Sequence, residues 1–188
     1  MGGSDAELAR RCRQKDPEAW RVLVRRVGPL VYRIAARILG AGAEAEDAAQ
    51  EALVIACRAF ESFDPTRPFE PWFARIAYTT SLKALARRAR PGGPGLDGDA
   101  LDQVVAGEVS PEQRLATAEA SALVVAALER LAPEDRVLVT LTYQEGLSNA
   151  EVAQALDMPV GTVKTRLFRA RERLRGLLAP LLQPRERS

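Results

Sequence analysis

The densest chemistry in the chain lies on one short stretch. Lys164, Arg166, Arg169, Arg171, Arg173 and Arg175 stand against a single acid, Glu172. Cations on one helical face suit phosphates and base edges of a nucleic acid. Such a row can equally lie on a membrane or simply be solvated, and Arg173 and Arg175 can serve the helix dipole instead. A second set begins in the loop Phe63–Phe69 and continues through Trp72, with Arg67, Arg75, Lys83, Arg87 and Arg88 nearby. Apolar and aromatic walls beside a basic helix suit an extruded base and its backbone, although Phe63, Trp72 and Phe73 equally suit a core. A third set, Asp47, Gln50 and Glu51, places two like charges four residues apart. That spacing costs a few tenths of a kcal/mol on an isolated helix, which a basic partner surface would offset. The alternative is an ordinary solvated acidic face.

Elements must hold these groups in place. The segment Leu147–Arg175 reads as two short helices joined by a tight turn. Ser148 and Glu151 form a capping box that starts the first, with Val152, Ala153 and Leu156 as its apolar face. The turn falls at Asp157-Met158-Pro159, and Pro159 is expected at the first position of the second helix. There Val163, Leu167, Ala170, Leu174 and Leu177 recur at three- and four-residue steps. Many such turns carry Gly where this chain has Asp157, a residue that tolerates a left-handed backbone. The pattern predicts a helix-turn-helix suited to the DNA major groove.

The rest of the chain predicts an all-α fold. A capping box at Ser4 and Glu7 opens a helix to about Gln14, and Asp16-Pro17-Glu18 opens another ending at Gly40. Its stripe is Trp20, Leu23, Val24, Val27, Val31, Ile34 and Ile38, with a kink expected at Gly28-Pro29. A third helix, about Glu44 to Ser62, is expected to bury Ala48, Ala52, Leu53, Ile55, Ala56 and Phe60. A fourth, Pro71 to about Arg88, packs Trp72, Phe73, Ile76, Ala77 and Leu85. After residues 91–110, rich in Gly and acids and read as a flexible linker, helix restarts at Ser110-Pro111-Glu112 and leads through Leu115, Ala122, Val125 and Leu128. Another helix runs from Pro133 to Gln144 and stops at Gly146. No segment alternates with period two.

Charge follows this layout. Residues 1–90 hold 16 basic and 11 acidic residues, 91–120 hold 1 and 6, and 121–188 hold 10 and 8. Two basic lobes flanking an acidic middle fit a chain that touches nucleic acid twice. With no histidine, no nucleophile triad and no phosphate-binding glycine loop, an enzyme is not expected, and neither is a metal or cofactor. Cys12 and Cys57 match no metal spacing and read as free thiols. No signal peptide or long apolar run is seen, so a cytoplasmic protein is expected.

Three segments together resemble the extracytoplasmic-function sigma factors, the minimal two-domain promoter-specificity subunits of bacterial RNA polymerase. EDAAQEALVIACRAFESFD resembles the family's polymerase-binding helix, RPFEPWFARIAYTTSLKALARRAR its minus-ten and melting helix, and MPVGTVKTRLFRARERLR its minus-thirty-five helix. The resemblance covers roughly residues 15–90 and 111–178. It implies a sigma-2-like domain over 1–90, a linker over 91–110 and a sigma-4-like helix-turn-helix domain over 111–188. It makes core polymerase the partner of Asp47, Gln50 and Glu51, through the clamp helices of the largest subunit, with the flap region, promoter DNA and an anti-sigma factor as further partners. Lys164, Thr165, Phe168 and Arg169 would face minus-thirty-five bases, while Thr162, Arg166 and Arg171 hold phosphates. Asp97, Asp99, Asp102 and Glu108 would imitate RNA phosphates along the transcript channel.

Where relatives carry an I-A-R-N-x-x-x-D pattern, this chain has Tyr78, Thr79 and Lys83. An unusual minus-ten preference is expected from that change. Two rival readings are a sigma mimic that titrates an anti-sigma factor and a stand-alone helix-turn-helix regulator.

Overall fold

Asp16 shows how local chemistry sets the elements. Its carboxylate accepts hydrogen bonds from the backbone N–H groups of Glu18 at 2.9 Å and Ala19 at 3.3 Å, and Pro17 follows where no N–H is needed. The helix so opened runs to Leu39, where Gly40 at φ 91° ends it and donates its N–H to Ala36. In the computed structural model, which describes residues 5–88 and 123–182, this is α2 (Pro17–Leu39), preceded by α1 (Asp5–Arg13). Then come α3 (Ala43–Ala59), a single 3-10 turn (Phe60–Ser62) and α4 (Phe69–Arg88). Beyond a helical stretch over 123–129 lie α5 (Pro133–Tyr143), α6 (Asn149–Leu156) and α7 (Val160–Leu182). No strand occurs among the described residues, so the all-α expectation holds.

The first lobe is a bundle in which α2, α3 and α4 pack on one another. Leu23, Val27, Val31, Ile34 and Ile38 of α2 are buried as their spacing predicts. Val24 is not; it lies 39 % exposed, and Leu30 and Leu39 take interior places instead. On α3 the interior face is made of alanines, Ala45, Ala48, Ala49, Ala52 and Ala56, which lets the neighbouring helices approach closely. Ile55, expected inside, turns outward beside Val54. The helix gives way to the 3-10 turn before Ser62, earlier than expected. Pro29 does not end α2, because the helix continues through it.

Helix α4 starts two residues before Pro71 and buries Phe73, Ala74, Ala77, Tyr78 and Ser81. Those positions encircle much of the helix, which fits a rod with neighbours on several sides. One of those neighbours belongs to the second lobe. α4 packs on α6, and α2 packs on α5, so the two lobes share a continuous apolar interior. The capping box at Ser4, the linker acids Asp97, Asp99, Asp102 and Glu108, and the restart at Ser110 lie outside the described residues.

Candidate nucleic-acid interface

The helix-turn-helix is built as its sequence predicts. Ser148 Oγ accepts from the Glu151 N–H at 3.3 Å, and the Glu151 carboxylate accepts from the Ser148 N–H at 2.8 Å. Val152, Ala153 and Leu156 are buried. Asp157 adopts the left-handed conformation at φ 55°, ψ 49°, the sharp reversal the motif needs. Pro159 sits one residue ahead of α7 rather than in its first position, and its carbonyl accepts the Val163 N–H at 3.1 Å. Val163, Leu167 and Ala170 then anchor α7, with Leu174 and Leu177 half-buried further along.

That anchoring turns Thr162, Lys164, Thr165, Phe168 and Arg169 to solvent. Phe168 is 62 % exposed, a large ring with no interior role. Thr165 returns its hydroxyl to the Gly161 carbonyl at 3.0 Å. Arg171 lies over the Tyr143 ring, 5.9 Å from its centroid, a contact that orders its guanidinium without burying it. Arg166 differs from its neighbours. Its Nε donates to Asp135 Oδ1 at 2.7 Å and its Nη2 lies 3.9 Å from Glu134, so it clamps α7 to the start of α5. The expected phosphate holder is committed to the fold.

In the first lobe, Phe63 and Phe69 are fully buried in a ring stack with Phe60, against which Trp72 packs edge-on at 5.4 Å from Phe63. The loop between them is tied down. Arg13 Nη2 donates to the Phe63 carbonyl at 2.5 Å, and Asp64 accepts from both the N–H and the hydroxyl of Thr66. The Thr66 bonds, with Arg67 beside them, hold the Asp64 carboxyl below its usual range. Ser62, Asp64, Arg67, Pro68 and Trp72 line a cleft of about 420 Å³. Phe63 also lines it, although its ring is almost wholly buried, so the exposed rim offers a ligand most of the contact.

The expected phosphate contacts on α4 are unequal. Lys83 is exposed. Arg75 is exposed but lies 3.2 Å from Asp157 of the helix-turn-helix. Arg87 pairs with Glu51 at 3.2 Å. Arg88 is turned inward, its side chain 14 % exposed, and bonds the Leu39 carbonyl and Glu44 at 3.2 Å each. It pins α4 to α2 and α3 and is not free to follow a strand. Thr79 is exposed, with its hydroxyl against the Arg75 and Ile76 carbonyls at 2.9 and 3.0 Å. Asp47, Gln50 and Glu51 all face solvent on α3, where Asp47 and Glu51 share a cleft with Arg87 and Arg88.

Several partners escaped the sequence reading. Arg33 of α2 forks onto Glu145, Tyr78 is buried near Glu134 and Asp135, and Asp135 holds Arg166. Tyr78 and Asp157 were visible as departures from the pattern, but nothing in their spacing says that they meet the opposite lobe.

Family comparisons match this arrangement lobe by lobe. A model of Sigma-70 region 2 matches residues 23–91 and one of Sigma-70 region 4 matches residues 121–174. The ECF RNA polymerase sigma-E factor of Escherichia coli (strain K12) is 33 % identical over 186 residues, 96 % of this chain and 97 % of that protein. The chain is an ECF sigma factor of the sigma-70 family. The ECF RNA polymerase sigma factor SigE of Mycolicibacterium smegmatis is 37 % identical over 161 residues, 86 % of this chain and 62 % of that protein. Among solved structures, CnrH in complex with the cytosolic domain of CnrY is 27 % identical with a TM-score of 0.67, covering 95 % of this chain and 99 % of that one. RpoE from Bartonella quintana, solved with the anti-sigma factor NepR, shares the fold at 23 % identity and a TM-score of 0.68. No helix among the described residues of this sigma factor is long and apolar enough to cross a membrane.

Proposed function

We propose that this sigma factor binds bacterial core RNA polymerase and directs it to a set of promoters, with no catalytic step of its own. The observation that carries the reading is the outward row Lys164, Thr165, Phe168 and Arg169 on a helix held rigid by the capping box and by Arg166. Those side chains read the minus-thirty-five element, Phe168 against a thymine methyl and Arg169 at a guanine edge or phosphate. Thr162 and Arg171 hold the backbone alongside.

The cleft beside Trp72 receives an unstacked minus-ten base, with Arg67, Arg75 and Lys83 along the strand. Because the Thr79 hydroxyl donates its proton to its own helix carbonyls, base readout there shifts toward Lys83 and the cleft rim. That supports an unusual minus-ten preference. Residues 1–90 serve as the sigma-2-like domain, with Asp47, Gln50 and Glu51 meeting the polymerase clamp. Residues 111–188 serve as the sigma-4-like domain, and Asp97, Asp99, Asp102 and Glu108 of the linker occupy the transcript channel until RNA displaces them. The chain works in the cytoplasm, where polymerase and chromosome are. An anti-sigma factor holds it in reserve, by analogy with RpoE from Bartonella quintana, a protein of the same fold solved with the anti-sigma factor NepR.

Run-off transcription with core polymerase, with and without the protein, tests the reading. New promoter-dependent transcripts are the expected result. Their absence on a genomic template library would leave a sigma mimic or a stand-alone regulator.

A further inference from the structure

Helix α1 lies ahead of the matched Sigma-70 region 2, which begins at residue 23. Its buried residues are the small Ala9 and Cys12, so it adds little to the core. Its polar side chains reach much further, toward both ends of the loop Phe63–Phe69. At one end, Arg13 Nη2 donates to the Phe63 carbonyl at 2.5 Å and to the Glu61 carbonyl at 3.4 Å, 50 and 48 residues away in sequence. At the other, Arg26 of α2 donates to Asp5 at 2.5 and 3.1 Å and to Glu70 at 2.9 Å. The same guanidinium lies 5.4 Å from the centre of the Phe69 ring. Between these ties, Trp20 donates its indole N–H to the Cys12 carbonyl at 3.1 Å and sets its ring edge-on to Phe60 at 4.8 Å.

A cation in the last turn of a helix ordinarily serves that helix's own carbonyls and dipole. Arg13 does not stay there. Its Nε is buried and makes no hydrogen bond, while its Nη2 reaches the loop. A guanidinium free to choose its place would keep that donor in water. The loop carbonyls hold it where it is. Arg11 turns the opposite way, onto Asp16 at 2.8 Å, and so fixes α1 to the residue that caps α2. The helix is anchored on one side and grips the loop on the other.

We propose that α1 is a brace for the minus-ten loop, in which Arg13 fixes the Phe63 end and Asp5, through Arg26, fixes the Phe69 end. The brace rests on the cleft beside Trp72 being the seat of the extruded base, as proposed above. Every loop residue that must be ordered on binding costs conformational entropy, so walls already in place capture a base more tightly. The bonds of Asp64 to Thr66 and Arg67 are local and shape the middle of the loop. The ties from α1 join its ends to the bundle. Neither Arg13 nor Asp5 lines the cleft, so both are positioning residues.

Hydrogen exchange on the full chain reads the brace without DNA. In Arg13→Gln the Phe63, Thr66 and Arg67 amides, each hydrogen-bonded in the loop, should exchange about tenfold faster while the interior of α2 is unchanged. Its use is read by holoenzyme binding to the minus-ten strand of the run-off template, against copies made abasic at one base at a time. If the competent loop falls to about a fifth of the population, apparent Kd on the intact strand rises about fivefold. Arg13→Lys, which keeps a cation and a donor, should recover part of that loss, and Asp5→Ala should cost about twofold. Affinity for a minus-thirty-five duplex should not move. Loop amides that exchange as in the wild type overturn the brace. Faster exchange with the strand bound as tightly as before, or an equal loss on the minus-thirty-five duplex, overturns its role in base capture. A wild-type holoenzyme indifferent to every abasic change tells against the cleft reading, and the exchange result still decides the brace.

Discussion

Removing the Arg166 guanidinium separates a structural clamp from a phosphate anchor. In Arg166→Gln the loss is the 2.7 Å bond to Asp135 and the weaker 3.9 Å approach to Glu134. The two side chains of the close pair are 30 % and 27 % exposed, so solvent screens part of the interaction. A charge-assisted bond is worth about 1.5–3 kcal/mol, and partial exposure brings the expected loss to about 1–2 kcal/mol. Part of that loss is Asp135 and Glu134 left facing each other without a cation. Urea unfolding monitored by helix signal measures it as a lower midpoint at constant slope. Promoter binding by the holoenzyme supplies the second number. A lost phosphate contact lowers the slope of log affinity against log salt by about 0.9, whereas a lost clamp leaves it unchanged. Unaltered stability with a slope reduced by that amount would refute the structural assignment.

Further outcomes follow from the same geometry. Phe69→Ala empties a fully buried position in the ring stack and should cost about 3–5 kcal/mol, read as a collapse of the urea midpoint. Phe168→Ala and Arg169→Ala touch exposed side chains, so stability should move by less than about 0.5 kcal/mol. Arg169→Ala should meanwhile cost about 1–3 kcal/mol of promoter affinity concentrated at one base pair, checked by a panel of single-base variants. Burial raises the Cys12 thiol from an ordinary value of 9.0 to about 11, so the folded chain disfavours its thiolate. Between those two values the unfolded chain loses the proton and the folded one keeps it, so stability should fall as pH rises through that window and Cys12→Ala should flatten the fall. Alkylation at pH 8 should reach the exposed Cys57 well before Cys12, as peptide mass mapping would record.

The helix-turn-helix was readable from the sequence because each of its parts is local. A capping box spans four residues, and the apolar repeat of α7 needs only its own period. The α2 stripe was readable for the same reason, apart from Val24, which the three- and four-residue spacing admits but the bundle leaves outside. Ile55 was misplaced because alanines fill the inner face of α3, and a hydrophobicity pattern ranks isoleucine above alanine whatever the room available. Among the site residues, Lys164 and Arg169 stand free, whereas Arg88 and Arg166 are spent on the fold. All four are cations on basic helices, and only their distant partners Glu44, Leu39 and Asp135 tell them apart. The interlobe pairs Arg33–Glu145 and Arg75–Asp157 join positions far apart in sequence, beyond the reach of any local signal.

If the cleft beside Trp72 receives a minus-ten base as proposed, the ring stack of Phe60, Phe63 and Phe69 limits how this factor can acquire new targets. Those rings form the interior of the first lobe, and Phe63 among them also lines the cleft. A change there alters recognition only by also lowering stability, and selection acting on a marginally stable fold removes most such changes. The rim residues Ser62, Asp64 and Arg67 carry a lighter burden, since all three are exposed and their bonds, to Ala59, to Thr66 and between Asp64 and Arg67, are local. Promoter preference in descendants of this chain should therefore drift along the rim while the aromatic stack stays fixed, so a library confined to those three positions is the economical route to retargeting it.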